Sequence, residues 1–268
     1  MKLQFGSRKL MTFKSFVQVE IPDLPLSLAY RMKEFPPEPF WSRARNSTYA
    51  VRRRFGLTRE AIARFTRGRV AGLFSSDLTT EETSLLFEAF IQAQPKVYLE
   101  IGVYWAGTFR KILVLRDLLG LSTRCIGLDV WDELCDPSPN THESGWPNRL
   151  LVDKALRKRQ FKNYELLTGL CQQLPEMVHS PIDFAFHDAN HTYQAVYDEL
   201  NCLHPLMTDS AIVAVHNAST EHYPDNMYVK NDGGPYKAVA DLIREGKWDM
   251  INFRHRLAIL KRKTSSQA

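Results

Sequence analysis

Two short runs in the C-terminal half gather side chains that can move protons or hold ions: HDANH over 187–191, and His216 with Asn217. Asp188 with His191, then His216 with Asn217, can set one carboxylate, imidazoles and an amide around a single point. Oxygen and nitrogen donors so arranged can bind a divalent metal, and a neutral imidazole can take a proton near pH 7. His187 and His191 stand four apart, the spacing that puts two ligands on one helical face, but the strand-like IDFAF before them argues against a helix there. Upstream, Glu100 and Asp129 each close an apolar run, KVYLEIG and RCIGLDV. Asp129 suits a carboxylate that accepts from two adjacent ribose hydroxyls, and equally a turn or helix cap.

These residues need elements that bring them to one edge. In KVYLEIGVYWAGT a buried strand ends at Glu100 and breaks into glycines at Gly102 and Gly107. A side chain at Gly102 is expected to collide with a ligand lying across the strand end, while Gly107 lets the next helix begin close to the sheet. The pattern is not the Gly-x-Gly-x-x-Gly of dinucleotide enzymes, which disfavours NAD. Strands and helices then alternate: KVYLEIG, a helix from Thr108 to about Leu119, RCIGLDV, a helix from about Arg149 to Arg159, YELLTG, a short helix around Leu174, and IDFAFHD. A helix from Tyr193 to Leu203, the strand AIVAVHN, a helix from Pro235 to Arg244, and the segments WDMINF and LAILKR complete the chain. That rhythm predicts an α/β, doubly wound, mostly parallel sheet with an antiparallel hairpin at its C-terminal edge. Before it, TTEETSLLFEAFIQA reads as a helix with acidic residues in its first turn. The ends of four strands would thus carry the polar residues, where such sheets bind ligands.

At 268 residues and 44% hydrophobic, the chain can bury a sizeable core. Its net charge of +5 is unevenly spread: residues 1–75 hold 15 Lys/Arg against 5 Asp/Glu, leaving 20 against 25 for residues 76–268. The division predicts a basic, partly helical N-terminal arm or cap over 1–75 and a ligand-binding domain over 76–268. Arginines between Arg43 and Arg69 suit an anionic or carrier-bound small-molecule acceptor. No aromatic RNA-binding signature accompanies them, which argues against nucleic acid. No apolar run reaches the length of a transmembrane segment, and no secretory signal is recognisable, so a cytoplasmic protein is the expectation. The four cysteines form no CxxC pair and read as free thiols. An arm that packs on a neighbour would suit a homo-oligomer.

On the residues EIGVYWAGT, GLDVWD, DANHTYQAVYDEL and AIVAVHN, the chain resembles the class I S-adenosylmethionine-dependent methyltransferases. Within them it is most similar to the small-molecule O-methyltransferase branch that includes macrocin-type sugar methyltransferases and cephalosporin-hydroxylase-like proteins, over about Val97 to Trp248. The resemblance implies a Rossmann-like methyltransferase sheet and natural-product chemistry. It implies that Glu100, Gly102, Val103, Gly107 and Thr108 line the cofactor, with Glu100, Gly102 and Gly107 at its methionine part. It further implies that Asp129 binds the ribose, that the Gly169 turn lies at the adenine, and that Asp188 borders both cofactor and acceptor. Asp188, His216 and Asn217 would face the acceptor hydroxyl, with Mg²⁺ or Mn²⁺ among them in many relatives, and His216 or His191 would act as the base. Asn217 and Ala189-Asn190 depart from the family's more acidic pattern, which removes negative charge from that metal site. Trp131, His142 and Trp146, in the 131–148 stretch, are expected to pack on the acceptor. Two rival readings stand beside this one: a metal-dependent hydrolase or oxygenase with His187, Asp188, His191 and His216 as ligands, and a catalytically silent partner protein.

Overall fold

The computed structural model describes residues 76, 78–134, 148–219 and 233–263; the basic N-terminal segment lies outside them. Helix α1 (Thr80–Ala93) starts where Thr79 accepts from the Glu82 N–H while the Glu82 carboxylate accepts from the Thr79 N–H, a reciprocal cap. It stops at Gln94, which turns left-handed one residue before Pro95. Strand β1 (Val97–Ile101) follows, then α2 (Gly107–Leu119), β2 (Arg124–Asp129), the single turn α3 (Trp131–Leu134), α4 (Arg149–Lys158), β3 (Tyr164–Thr168), α5 (Leu174–Met177) and β4 (Ile182–His187). The chain continues through α6 (Tyr193–Leu203), β5 (Met207–Val215), α7 (Gly234–Arg244), β6 (Trp248–Arg254) and β7 (Leu257–Arg262).

The seven strands lie in the order β3-β2-β1-β4-β5-β7-β6. The first five are parallel, and β7 inserts antiparallel between β5 and β6. From β1 the chain moves outward to β2 and β3, then returns to place β4 on the other side of β1. That reversal opens the crevice between β1 and β4 at their carboxyl ends, the place where open α/β sheets take ligands.

Alternation along the strands sorts the core into two layers. Tyr98, Phe184, Phe186, Ile212, Ala214 and Ile259 face α1, α2 and α4; Leu99, Ile101, Leu128, Ala185, Val213 and Leu260 face α5, α6 and α7. Both faces of the central strands are therefore apolar, as a parallel sheet covered on both sides requires. From Thr80 onward the expected strands and helices form; the helical part expected in the basic N-terminal segment lies outside the described residues. The principal boundary difference is β5, which begins at Met207 instead of Ala211. Met207 is buried, but Thr208, Asp209 and Ser210 after it are polar and at least partly exposed, and the pairing with β4 shifts register between Ile182 and Phe184. No helix among the described residues is long and apolar enough to cross a membrane.

Candidate active site

The crevice is built from four adjacent strand ends. Gly102, just past β1, has a φ of +87° and donates its N–H to Leu128 O at 3.0 Å. A Cβ there would stand 2.2 Å from the carbonyl oxygen of Asp188. The glycine is thus required by the β4–α6 backbone passing beside it, and the neighbour expected from the sequence, a ligand, is not the atom that excludes a side chain. Val103 is buried, Ala106 caps α2 in a left-handed conformation, and Gly107 and Thr108 open the helix. Glu100 is 1% exposed and accepts from the Tyr98 hydroxyl at 2.6 Å. Burial pushes its carboxyl well above the usual range, helped by nearby Asp188 and Asp129 and opposed by hydrogen bonds from Tyr98 and the Phe109 backbone.

Asp129, at the end of β2, spends its carboxylate on the turns around it. One oxygen accepts from the Tyr104 N–H at 2.7 Å, and the other from Val130 N at 2.7 Å and Trp131 N at 3.4 Å. It therefore ties the β1–α2 loop to the β2–α3 turn and fixes the shape of the crevice wall. Gly169 lies beside it, donating to Asp129 O at 3.0 Å, with Gln173 and Met177 in contact distance of any Cβ placed there.

Asp188, His191 and His216 converge, each offering one ligand-type atom within 4.8 Å of the others. His216, fully buried, sets Nδ1 2.8 Å from Asp188 Oδ1 and Nε2 3.7 Å from Glu82 Oε2. Desolvation alone would lower its pKa; the carboxylates of Asp188 and Glu82 win, and it is pushed up to about 9. The same contacts act in reverse on Asp188: although burial pushes its carboxyl up, the charge of His216 and hydrogen bonding by His191 and His216 hold it well below the usual range. A histidine protonated at neutral pH cannot begin a reaction by accepting a proton. His191, half-buried and nearer solvent, is the other imidazole of the cluster.

The sign of the His216 shift gives a prediction. A folded pKa raised to about 9 from an ordinary 6.5 stabilises the fold fully below 6.5, and the contribution disappears as pH rises through 9. Thermal melts between those values should fall more steeply for the wild type than for His216→Gln; parallel curves would refute the assignment.

Two residues that the sequence did not single out complete the cluster. Glu82, in the first turn of α1, is fully buried and takes Arg256 Nε at 2.8 Å, Nη2 at 3.0 Å and the Arg256 backbone N–H at 3.1 Å. Arg256, in the turn between β6 and β7, also donates from Nη1 to Asn217 Oδ1 at 3.3 Å. The capping box was a local signal for Glu82, but nothing local reveals its partner 174 residues away. Asn217 takes a left-handed conformation (φ 56°) and sets Nδ2 3.2 Å from His191 Nε2.

Two expectations are corrected. His187 turns its Nε2 to Glu199 on α6 and is buried there, since neighbours on a strand point to opposite faces; it does not join Asp188, His191 and His216. The four-ligand set of the rival hydrolase or oxygenase is not assembled. Trp131 is fully buried with its indole N–H on Leu167 O at 2.9 Å, a core residue rather than an acceptor platform. His142 and Trp146 lie outside the described residues.

The donor set also decides how well a magnesium-type ion would fit. Hard divalent cations take several oxygens. Here the carboxylate of Asp188 is paired with His216, that of Glu82 with Arg256, and the Asn217 oxygen faces a guanidinium. Asp188, His216 and Asn217 therefore do not fit Mg²⁺ or Mn²⁺.

Residues 99–218 match the family model described as a methyltransferase domain. No curated protein matches the chain. Among solved structures, the fold is similar to an O-methyltransferase from Bacillus cereus in complex with SAH, at 16% identity and TM-score 0.52, covering 82% of this chain and 97% of that one. It is also similar to an SAH-bound methyltransferase from Podospora anserina, at 17% identity and TM-score 0.50, covering 87% and 100%. A third similar structure is a methyltransferase of the mycinamycin biosynthetic pathway in complex with Mg and SAH, at 15% identity and TM-score 0.50, covering 77% of this chain and 56% of that one. At these identities the likeness is one of fold.

Proposed function

With a methyltransferase domain over residues 99–218 as the premise, we propose that the chain transfers a methyl group from S-adenosylmethionine to a hydroxyl of a small molecule. The carrying observation is the convergence of Glu100, Asp129, Asp188 and His216 at the carboxyl ends of β1, β2, β4 and β5 around the sheet's switch point. When bound, the cofactor supplies an electrophilic methyl on its sulfonium. The glycine turn at Gly102 to Gly107 and the buried Glu100 receive its methionine part, with Val103 and Thr108 in the same wall. Asp129 meets the ribose with the acceptor capacity that its backbone contacts leave, and the Gly169 turn lies toward the base.

On the acceptor side, His191 takes the hydroxyl proton while the pair of half-buried Asp188 and buried His216 fixes the floor beneath it. A positioned base of this kind contributes about 10²–10⁴-fold, and alignment of the acceptor with the methyl contributes further. The acceptor is read as anionic or carrier-bound, met by arginines of the 1–75 arm, in natural-product chemistry. The chain is read as a cytoplasmic homo-oligomer whose residues 76–268 form the catalytic domain.

Calorimetric titration with S-adenosylhomocysteine tests the cofactor assignment. Binding is expected in the wild type. In Asp129→Asn, with a melt to verify folding, it should weaken about 10- to 100-fold, the loss expected for charge-assisted hydrogen bonds. A wild type that binds neither S-adenosylhomocysteine nor S-adenosylmethionine would overturn the reading.

A further inference from the structure

β6 is the last strand in the sheet order, and among the described residues no strand pairs with its outer side. Every residue from Asp249 to Phe253 is exposed. Met250 at 46%, Ile251 at 48% and Phe253 at 43% set three large apolar side chains within four positions, with no charge between Asp249 and Arg254. An edge strand that offers backbone groups beside such side chains is a template for another strand, and lysine or proline on the strand is a common guard against it. Neither occurs between Trp248 and Arg254. The Phe253 N–H is met instead by the Asn252 side chain at 2.8 Å.

The strand is also complementary to itself. Its ladder with β7 pairs Asp249, Met250, Asn252, Phe253 and Arg254 and passes over Ile251. In those ladder positions, an antiparallel copy related by a twofold axis at Asn252 brings Asp249 opposite the partner's Arg254 and Met250 opposite the partner's Phe253. The faces agree. Arg254 stands opposite Leu257 in the α1 layer and 3.7 Å from Glu88 on α1, and alternation puts Asp249 on the same side, 3.5 Å from Lys263. Met250 and Phe253 lie opposite Leu260 and Ala258, in the other layer. Axes at Asp249 or Arg254 would set like charges face to face, and axes at Met250 or Phe253 would leave both charges without a partner in the strand. The charges therefore select one register.

We propose that β6 is the surface through which two copies of this chain associate: Asp249–Arg254 pairs antiparallel with the same segment of a second copy about an axis at Asn252, joining two seven-stranded sheets into one. Met250 and Phe253 cover each other across that axis, and the two Asp249–Arg254 contacts fix its position. An interface made of the same strand on both sides closes at two copies. The inference names the surface for the homo-oligomer reading and rests on that reading alone, since β6 lends no side chain to the crevice described above.

Sedimentation of the full chain tests it. At micromolar concentration the protein should run at twice the 30.9 kDa of one chain. Asp249→Arg and Arg254→Asp, both at solvent-exposed positions and with melts to verify folding, should each raise the dimer dissociation constant at least about 10-fold, because each sets like charges face to face. Mixing the two variants should restore the dimer, and so should combining both substitutions in one chain, because either arrangement matches every charge again. Damage confined to the single chain would not be rescued in this way. A wild type that stays monomeric up to millimolar concentration overturns the inference. A dimer that the single charge reversals leave unchanged also overturns it, while the homo-oligomer reading stands. Monomers whose β6 amides resist hydrogen exchange would place another part of the chain, residues 1–75, on this edge and overturn it as well. Calorimetry with S-adenosylhomocysteine should give wild-type binding in all these variants; a wild type that does not bind it would overturn the methyl-transfer reading and leave the dimer to be decided by sedimentation.

Discussion

Glu82→Ala is expected to lower the stability of the fold by about 3–5 kcal/mol, the cost of stripping one partner from a buried ion pair. The carboxylate it removes is fully buried and faces two cationic groups, the Arg256 guanidinium and the His216 imidazole. Without it both cations remain in the interior with a single carboxylate, Asp188, on the far side of His216. The N-cap of α1 also loses one half of its reciprocal hydrogen bonding, a further loss of about 1 kcal/mol. Chemical denaturation of Glu82→Ala, Arg256→Ala and the double variant checks this. The double variant should be far less damaged than the sum of the singles, because removing the second partner costs little once the first is gone. Strict additivity would mean the pair is not coupled. Acid provides a second check. Burial pushes the Glu82 carboxyl up, but His216, Arg256 and the Thr79 N–H outweigh it and hold it well below the usual range. Its contribution is therefore present above the ordinary carboxylate pKa and lost as pH falls, so wild type and variant should converge in strong acid.

Gly102→Ala should be comparably damaging, through the backbone. The residue sits at φ +87°, where an L side chain is strained, and its new methyl would overlap the Asp188 carbonyl at 2.2 Å. Strain and collision together predict a loss of at least about 3 kcal/mol. Relief by shifting the β4–α6 loop would carry Asp188 away from His216 and open the cofactor crevice, so S-adenosylhomocysteine binding should fall with stability. Gly246→Ala is the internal control. It shares the positive φ, +74°, but a Cβ there meets nothing within 4 Å. It should cost only about 1 kcal/mol. Equal losses at the two positions would show that conformational strain, and not the approach of Asp188, governs Gly102.

The strands and most helices were legible because burial writes a simple pattern into a parallel sheet: short apolar runs, each closed by a polar residue or glycine. The same punctuation located Glu100, Asp129, Asp188 and His216 at one edge. What each residue touches was less legible. The need for glycine at 102 was visible, but the cause is a backbone from β4, a neighbour that only the strand order supplies. His187 and His191 looked equivalent in HDANH, yet strand alternation sends the first to Glu199 and leaves the second in the crevice. Trp131 stood in a stretch that read as a surface loop and instead fills the core beside β3. Arg256 and Glu82 carried no signal of each other at all, since an ion pair across 174 residues has no periodicity to betray it. The beginning of β5 was hidden because Thr208, Asp209 and Ser210 have the composition of a turn and lie in the irregular stretch between the Met207 and Ile212 pairings with β4.

The insertion of β7 between β5 and β6 bears on how the protein comes to be made. A chain emerging from the ribosome places Glu82 174 residues before its counter-ion, so all the intervening strands and helices must be synthesised before that carboxylate meets Arg256. Until then the Ile212–Val215 edge of β5 also lacks its neighbour, leaving an apolar strand open to pairing with another molecule. Growing chains and fragments ending before Leu257 should therefore depend on chaperones and aggregate when released, whereas the finished chain closes the sheet edge and completes the site in one event.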